Sequence, residues 1–147
     1  MVAVTAEDIA ALRSILTGDL EPLDRLHDRL PESGSPPGLK VLLVSALRDA
    51  AERRFGRTWS GADLVSYVAR VRARDPSRAG AIDPLTAERV LRGALGDGEA
   101  VAGLSSDQFA RTFVELLIEL IIDEQQAGTG LDEFLDRAIR RSERYPY

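Results

Sequence analysis

Glu115, Glu119 and Asp123 stand at i, i+4 and i+8, a spacing that lines three carboxylates along one face of a helix. Bundle enzymes hold divalent cations on rows of this kind, and a metal so held can activate water for hydrolysis. A di-iron centre asks in addition for Glu-x-x-His pairs. A helical nucleotide pyrophosphatase asks for Glu-x-x-Glu answered by a later Glu-x-x-Asp. Glu133-x-x-Asp136 supplies half of that second pattern. The row is therefore expected to be a solvated stripe. If it is buried instead, its expected partners are Arg111 or arginines from the middle of the chain, with Arg70, Arg72 and Arg140 the named candidates for Glu119 and Asp123. Metal-assisted hydrolysis is the third-ranked function, and no metal or cofactor is assigned.

The remaining chemistry-bearing residues point no more sharply. Asp97 to Gln108 can be set on a calcium-loop template, but Val101 and Ala102 fall where a ligand and the obligatory glycine belong, and Gln108 replaces the bidentate glutamate. His27, the single histidine, has Asp24 one turn before it but no readable nucleophile or pocket, which favours a hydrogen-bonded structural histidine. Residues 48–92 carry ten arginines against six acids, a local net charge of +4 inside a chain of net charge −5. Arg70, Arg72, Arg74, Arg89 and Arg92 could meet phosphates if the helices on either side of residues 75–83 formed a helix-turn-helix with Pro84–Leu95 as reading helix. The long connection and the acids Asp75, Asp83 and Glu88 argue against it, so a nucleic-acid-binding regulator is the second-ranked function.

The element that must position the acidic row is the stretch Phe109 to Ile122, FARTFVELLIELII. On a helix it is apolar around about two thirds of its circumference, whereas a helix facing one core needs an apolar arc of only about 100°. Its polar stripe is Arg111, Thr112, Glu115, Glu119 and Asp123. A helix over about 106–126 is therefore expected at the centre of the fold. Around it the sequence predicts six or seven helices and no strand, as a single all-α domain with the loop 31–38 as an internal break.

Capping signals place the other helices. Thr5 with Asp8 opens a first helix that runs to about Leu16, and a second is expected over 20–30. PESGSPPG, residues 31–38, reads as a loop, followed by a helix over 39–55 that Gly56 stops. Ser60 with Asp63 starts a helix to about Arg74 that buries Leu64, Tyr67, Val68 and Val71. Asp83-Pro84 starts the next, with Ala87, Val90, Leu91, Ala94 and Leu95 inward. A loose connection over 96–104 leads to Ser105 and Gln108, the cap of the central helix. Leu131, Phe134, Leu135, Ala138 and Ile139 then mark a last amphipathic helix.

Composition sets the outer bounds. A chain of 147 residues can bury a core without staples, and the absence of cysteine removes disulfides, thiolate nucleophiles and cysteine-ligated metals. Lys40 is the single lysine and asparagine is absent, the bias of a GC-rich bacterial genome, which weakens arginine as a sign of phosphate recognition. The first residues, MVAVTAEDIA, lack the pattern of a signal peptide, and no apolar run reaches the ~20 residues of a membrane span. A soluble cytoplasmic protein is expected. The first-ranked function is a non-enzymatic interaction or assembly module that associates with itself, as a homodimer through the central or the last helix, because the central helix carries more apolar surface than a chain of this size can be expected to cover.

Overall fold

The computed structural model describes residues 4–17, 37–74 and 82–144. The helix predicted over 20–30, the loop 31–36 and His27 lie outside them. Among the described residues the fold is all-α: helices α1 (Ala6–Leu16), α2 (Pro37–Phe55), α3 (Gly61–Arg74), α4 (Pro84–Ala94), α5 (Ser106–Gln126) and α6 (Leu131–Ser142), with a short 3-10 turn at Gly98–Val101. No strand occurs among these residues.

Local chemistry fixes most of the boundaries. The Thr5 hydroxyl accepts from the backbone N–H of Asp8 (3.2 Å) while the Asp8 carboxylate accepts from that of Thr5 (2.9 Å), so two of the orphan donors at the start of α1 are satisfied reciprocally. Ser60 and Asp63 repeat the arrangement at α3, at 3.0 and 3.3 Å. Asp83 caps α4 by accepting from both the N–H and the hydroxyl of Thr86 (2.9 and 2.8 Å). At α5 the Ser105 hydroxyl accepts from the N–H of Gln108 but donates to its side-chain oxygen, a looser version of the expected box. Gly56 and Gly96 end α2 and α4 at φ 75° and 114°, a region only glycine enters without strain.

Two boundaries depart from expectation. α2 begins at Pro37, two residues inside the predicted loop, because a proline in the first turn gives up only an N–H that has no helical partner there. The connection after α4 is not loose: it winds through the 3-10 turn, and Val101 comes so close to α4 that a Cβ on Gly93 would lie 2.9 Å from a Val101 methyl.

The chain divides into two compact units, Met1–Asp49 with Ile121–Tyr147, and Ala50–Leu120. Both boundaries fall inside helices, α2 and α5, rather than in a linker. In the first unit the buried apolar side chains among the described residues are Leu12 and Ile15 of α1, Leu39, Val41, Leu42, Ala46 and Leu47 of α2, and Phe134, Leu135 and Ala138 of α6, with Ile121 at the unit's edge. In the second, α3 buries the four predicted residues Leu64, Tyr67, Val68 and Val71, and α4 packs on it through Ala87, Val90, Leu91 and Ala94. The predicted inner residue Leu95 is only half-buried, since it has become the C-cap. Phe55 and Tyr67 meet edge to face, 5.3 Å between centroids.

α5 has the burial its composition requires. From Thr112 to Glu124 no residue is exposed, and Leu116 and Leu117 are fully covered. The breadth of its apolar arc thus goes with a helix that is buried or half-buried over four turns.

Candidate interaction surface

The acidic row on α5 is not a solvated stripe. Thr112, expected on its polar side, is buried at 4% exposure, and Glu115, Glu119 and Asp123 are all half-buried. Glu119 accepts a charge-assisted hydrogen bond from Arg74 at 2.7 Å, with side-chain exposures of 13% and 29%. Its partner is thus an arginine of the basic middle, but not Arg70, Arg72 or Arg140. The reason lies in the phase of α3. Arg74 follows Tyr67 by seven residues and Val71 by three, which places it nearer in phase to the buried face than Arg70, although both residues are exposed. Neither Glu115 nor Asp123 is free. Among the described residues no three His, Asp or Glu side chains converge as a metal would need. Glu133 and Asp136 are exposed on α6.

The arginines of the middle are largely engaged by their own unit. Arg89 donates through Nε to the carbonyl of Ala100 at 2.7 Å and through Nη2 to that of Ala102, so one guanidinium fastens both carbonyls at the end of the 3-10 turn. These carbonyls lie inside the segment tested above as a calcium loop, and they face a cation that the chain itself supplies. Arg92 bonds Glu88 at 3.0 Å one turn back and stands 5.5 Å over the Trp59 ring. Gly61 makes room for it, since a Cβ there would lie 2.7 Å from Arg92 Nη2. Arg54 lies over both the Phe55 and Tyr67 rings. Arg72 acts electrostatically on Asp83, whose carboxyl is held below its ordinary value first by the hydrogen bond from the Thr86 N–H, then by the Thr86 hydroxyl, with burial opposing and Arg72 assisting. Of the five arginines proposed to meet phosphate, Arg72, Arg74, Arg89 and Arg92 are thus engaged, and Arg70 is exposed.

One constellation in the first unit has no counterpart in the sequence reading. Arg137 of α6 donates to Asp49 of α2 at 2.9 Å and to Glu124 of α5, tying three helices through one guanidinium. Burial works against its charge, but the hydrogen bond to Asp49 and the charges of Glu124 and Asp49 outweigh it and raise its pKa above the ordinary arginine value. The side chain is 14% exposed, packs 5.7 Å from the Phe134 ring centroid, and leaves Nη1 buried without a hydrogen bond. A signal was present in the sequence: Arg137 follows Phe134 by three residues, on the rim of the α6 apolar face. An arginine at such a rim asks for a buried anion.

Two large apolar side chains are also exposed among the described residues. Val65 of α3 is 54% exposed and Leu85, in the first turn of α4, is 63% exposed. Both belong to the second unit, on the two helices that pack together. No family model, curated protein or solved structure matches this chain. Among the described residues no helix is long and apolar enough to cross a membrane.

Proposed function

We propose that this chain is a non-enzymatic helical interaction module that associates with itself through the α3–α4 pair. The observation that carries the reading is the exposure of Val65 and Leu85, the large apolar side chains that the described fold leaves in water. The site differs from the one expected from sequence. Phe113, Leu116, Leu117, Leu120 and Ile121 of α5 and Phe134, Leu135 and Ala138 of α6 are buried within the chain, and Val114, Ile118, Ile122 and Ile139 are half-buried, so both helices offer less open apolar surface than Val65 and Leu85 do. The engagement of the ionisable groups supports the non-enzymatic part. Glu119, Arg89, Arg92 and Arg137 hold the fold, and a group tied into a structural pair is poorly placed to bind or transform a ligand.

Fully burying a leucine or valine side chain contributes about 1.5–3 kcal/mol, so two such residues from each copy sustain a reversible dimer rather than an obligate one. Sedimentation equilibrium over a range of concentrations tests this. A reversible monomer–dimer equilibrium that Leu85→Asp or Val65→Asp shifts toward monomer is expected. A wild-type chain that stays monomeric at the highest attainable concentration overturns the reading.

A further inference from the structure

The outward face of α3 is self-complementary, and we infer that it is where two copies meet, antiparallel, about a two-fold axis; this rests on the self-association proposed above. With Leu64, Tyr67, Val68 and Val71 inward, the opposite side of the helix carries Ala62, Ser66, Ala69 and Ala73, all exposed. At about 100° per residue these four stay within about 60° of one another. Asp63 and Arg70, seven residues apart and both exposed, flank them on one side, and Val65 flanks them on the other at 54% exposure.

Charge decides the occupant and the direction. Asp63 and Arg70 carry opposite charges two turns apart on one flank of the seam, so a parallel second copy about a two-fold sets both against its Val65 flank and leaves them unpaired. An antiparallel copy that places Ser66 against the second copy's Ala69, and Ala62 against its Ala73, brings Asp63 beside the second copy's Arg70. The two-fold then repeats that pair, as a closed isologous contact requires. One carboxylate oxygen of Asp63 is taken by the Ser60 N–H, which leaves the other for an intermolecular bond. Arg70 makes no hydrogen bond or ion pair within the described residues. Alanine and serine along the seam let the axes approach to about 8 Å, the short end of helix-pair separations, and Val65 then closes over the side of the seam away from the ion pairs. The second copy thus covers the apolar group and pairs the charge that the described residues leave open.

The chain has no cysteine, so the geometry can be read by cross-linking. Ser66→Cys and Ala69→Cys chains, mixed in equal amounts and mildly oxidised, are expected to give cross-linked dimer faster than either chain alone. Cross-linking of Ser66→Cys alone as fast as the mixture would instead mean a parallel or unrelated contact and would overturn the inference. In sedimentation, Arg70→Asp places two aspartates in each former pair and is expected to weaken the dimer about tenfold. Ala69→Arg should abolish the dimer with helicity and melting temperature kept, because the position is exposed. A wild-type dimer that survives Ala69→Arg refutes this face and leaves self-association standing, whereas a monomeric wild type removes both.

Discussion

Replacing Glu119 with glutamine separates a structural ion pair from a strained acidic site. The pair with Arg74 is 2.7 Å long, and its side chains are 13% and 29% exposed, so it belongs with neither the freely solvated pairs nor the fully buried ones. Solvated pairs contribute about 0.2–1 kcal/mol, and breaking a buried one costs about 3–5 kcal/mol. The wetter arginine end screens the attraction, and glutamine still offers Arg74 an acceptor oxygen, which puts the loss of charge at about 1–2 kcal/mol. Glu115 and Asp123 lie one turn to either side on the same helix, and relieving two like-charge neighbours returns a few tenths of a kcal/mol each. The expected net loss is about 1 kcal/mol, a fall in melting temperature of about 2–4 °C for a chain of this length. Urea unfolding followed by far-ultraviolet circular dichroism measures it, and a cycle with Arg74→Met should return a coupling of about 1 kcal/mol or somewhat more. Zero coupling would mean that the contact contributes nothing in solution. A clear gain in stability on Glu119→Gln would mean that the row is a strained acidic cluster held for a cation.

Three further outcomes follow from the same geometry. Arg137→Met removes the cation that Asp49 and Glu124 share, at side chains 17% and 14% exposed, and should cost about 3 kcal/mol in urea unfolding, part of it recovered by adding Glu124→Gln. Gly93→Ala gains helix propensity of up to about 1 kcal/mol but drives its methyl against Val101, so it should destabilise the wild-type background and stabilise a Val101→Ala background. Because the Asp83 carboxyl lies below its ordinary 3.8, its capping contribution is complete above that pH and is lost as the pH falls through the lower folded value. The Thr86 amide resonance should report that titration at a lower pH than an exposed aspartate shows.

What was legible in the sequence is what short-range chemistry decides. Thr5 with Asp8, Ser60 with Asp63 and Asp83 with Thr86 each act over three residues, and Gly56 and Gly96 stop helices by their own backbone freedom, so the positions of α1, α3 and α4 could be read directly. The breadth of the apolar arc on Phe109–Ile122 likewise announced a helix with no exposed residue from Thr112 to Glu124. The partners of charges were not legible, because Arg74 meets Glu119 across 45 residues and Arg137 meets Asp49 across 88. Choosing among Arg70, Arg72 and Arg74 required knowing which edge of α3 turns inward by how many degrees, and periodicity carries that only coarsely. The 3-10 turn at 98–101 escaped because a side chain from the preceding helix, Arg89, fastens it, and nothing within its own residues marks it. Which apolar side chains stay in water was not legible either: Val65 and Leu85 lie on helices whose other apolar residues are buried, and periodicity alone does not single them out.

The central claim, self-association through the α3–α4 pair, is tested most directly by amide hydrogen exchange of the wild-type chain at low and at high concentration. Slower exchange at high concentration in peptides covering Gly61–Arg74 and the first turn of α4, with α6 unchanged, is the predicted result. Exchange that does not depend on concentration, or slowing confined to residues 131–142, would contradict the account.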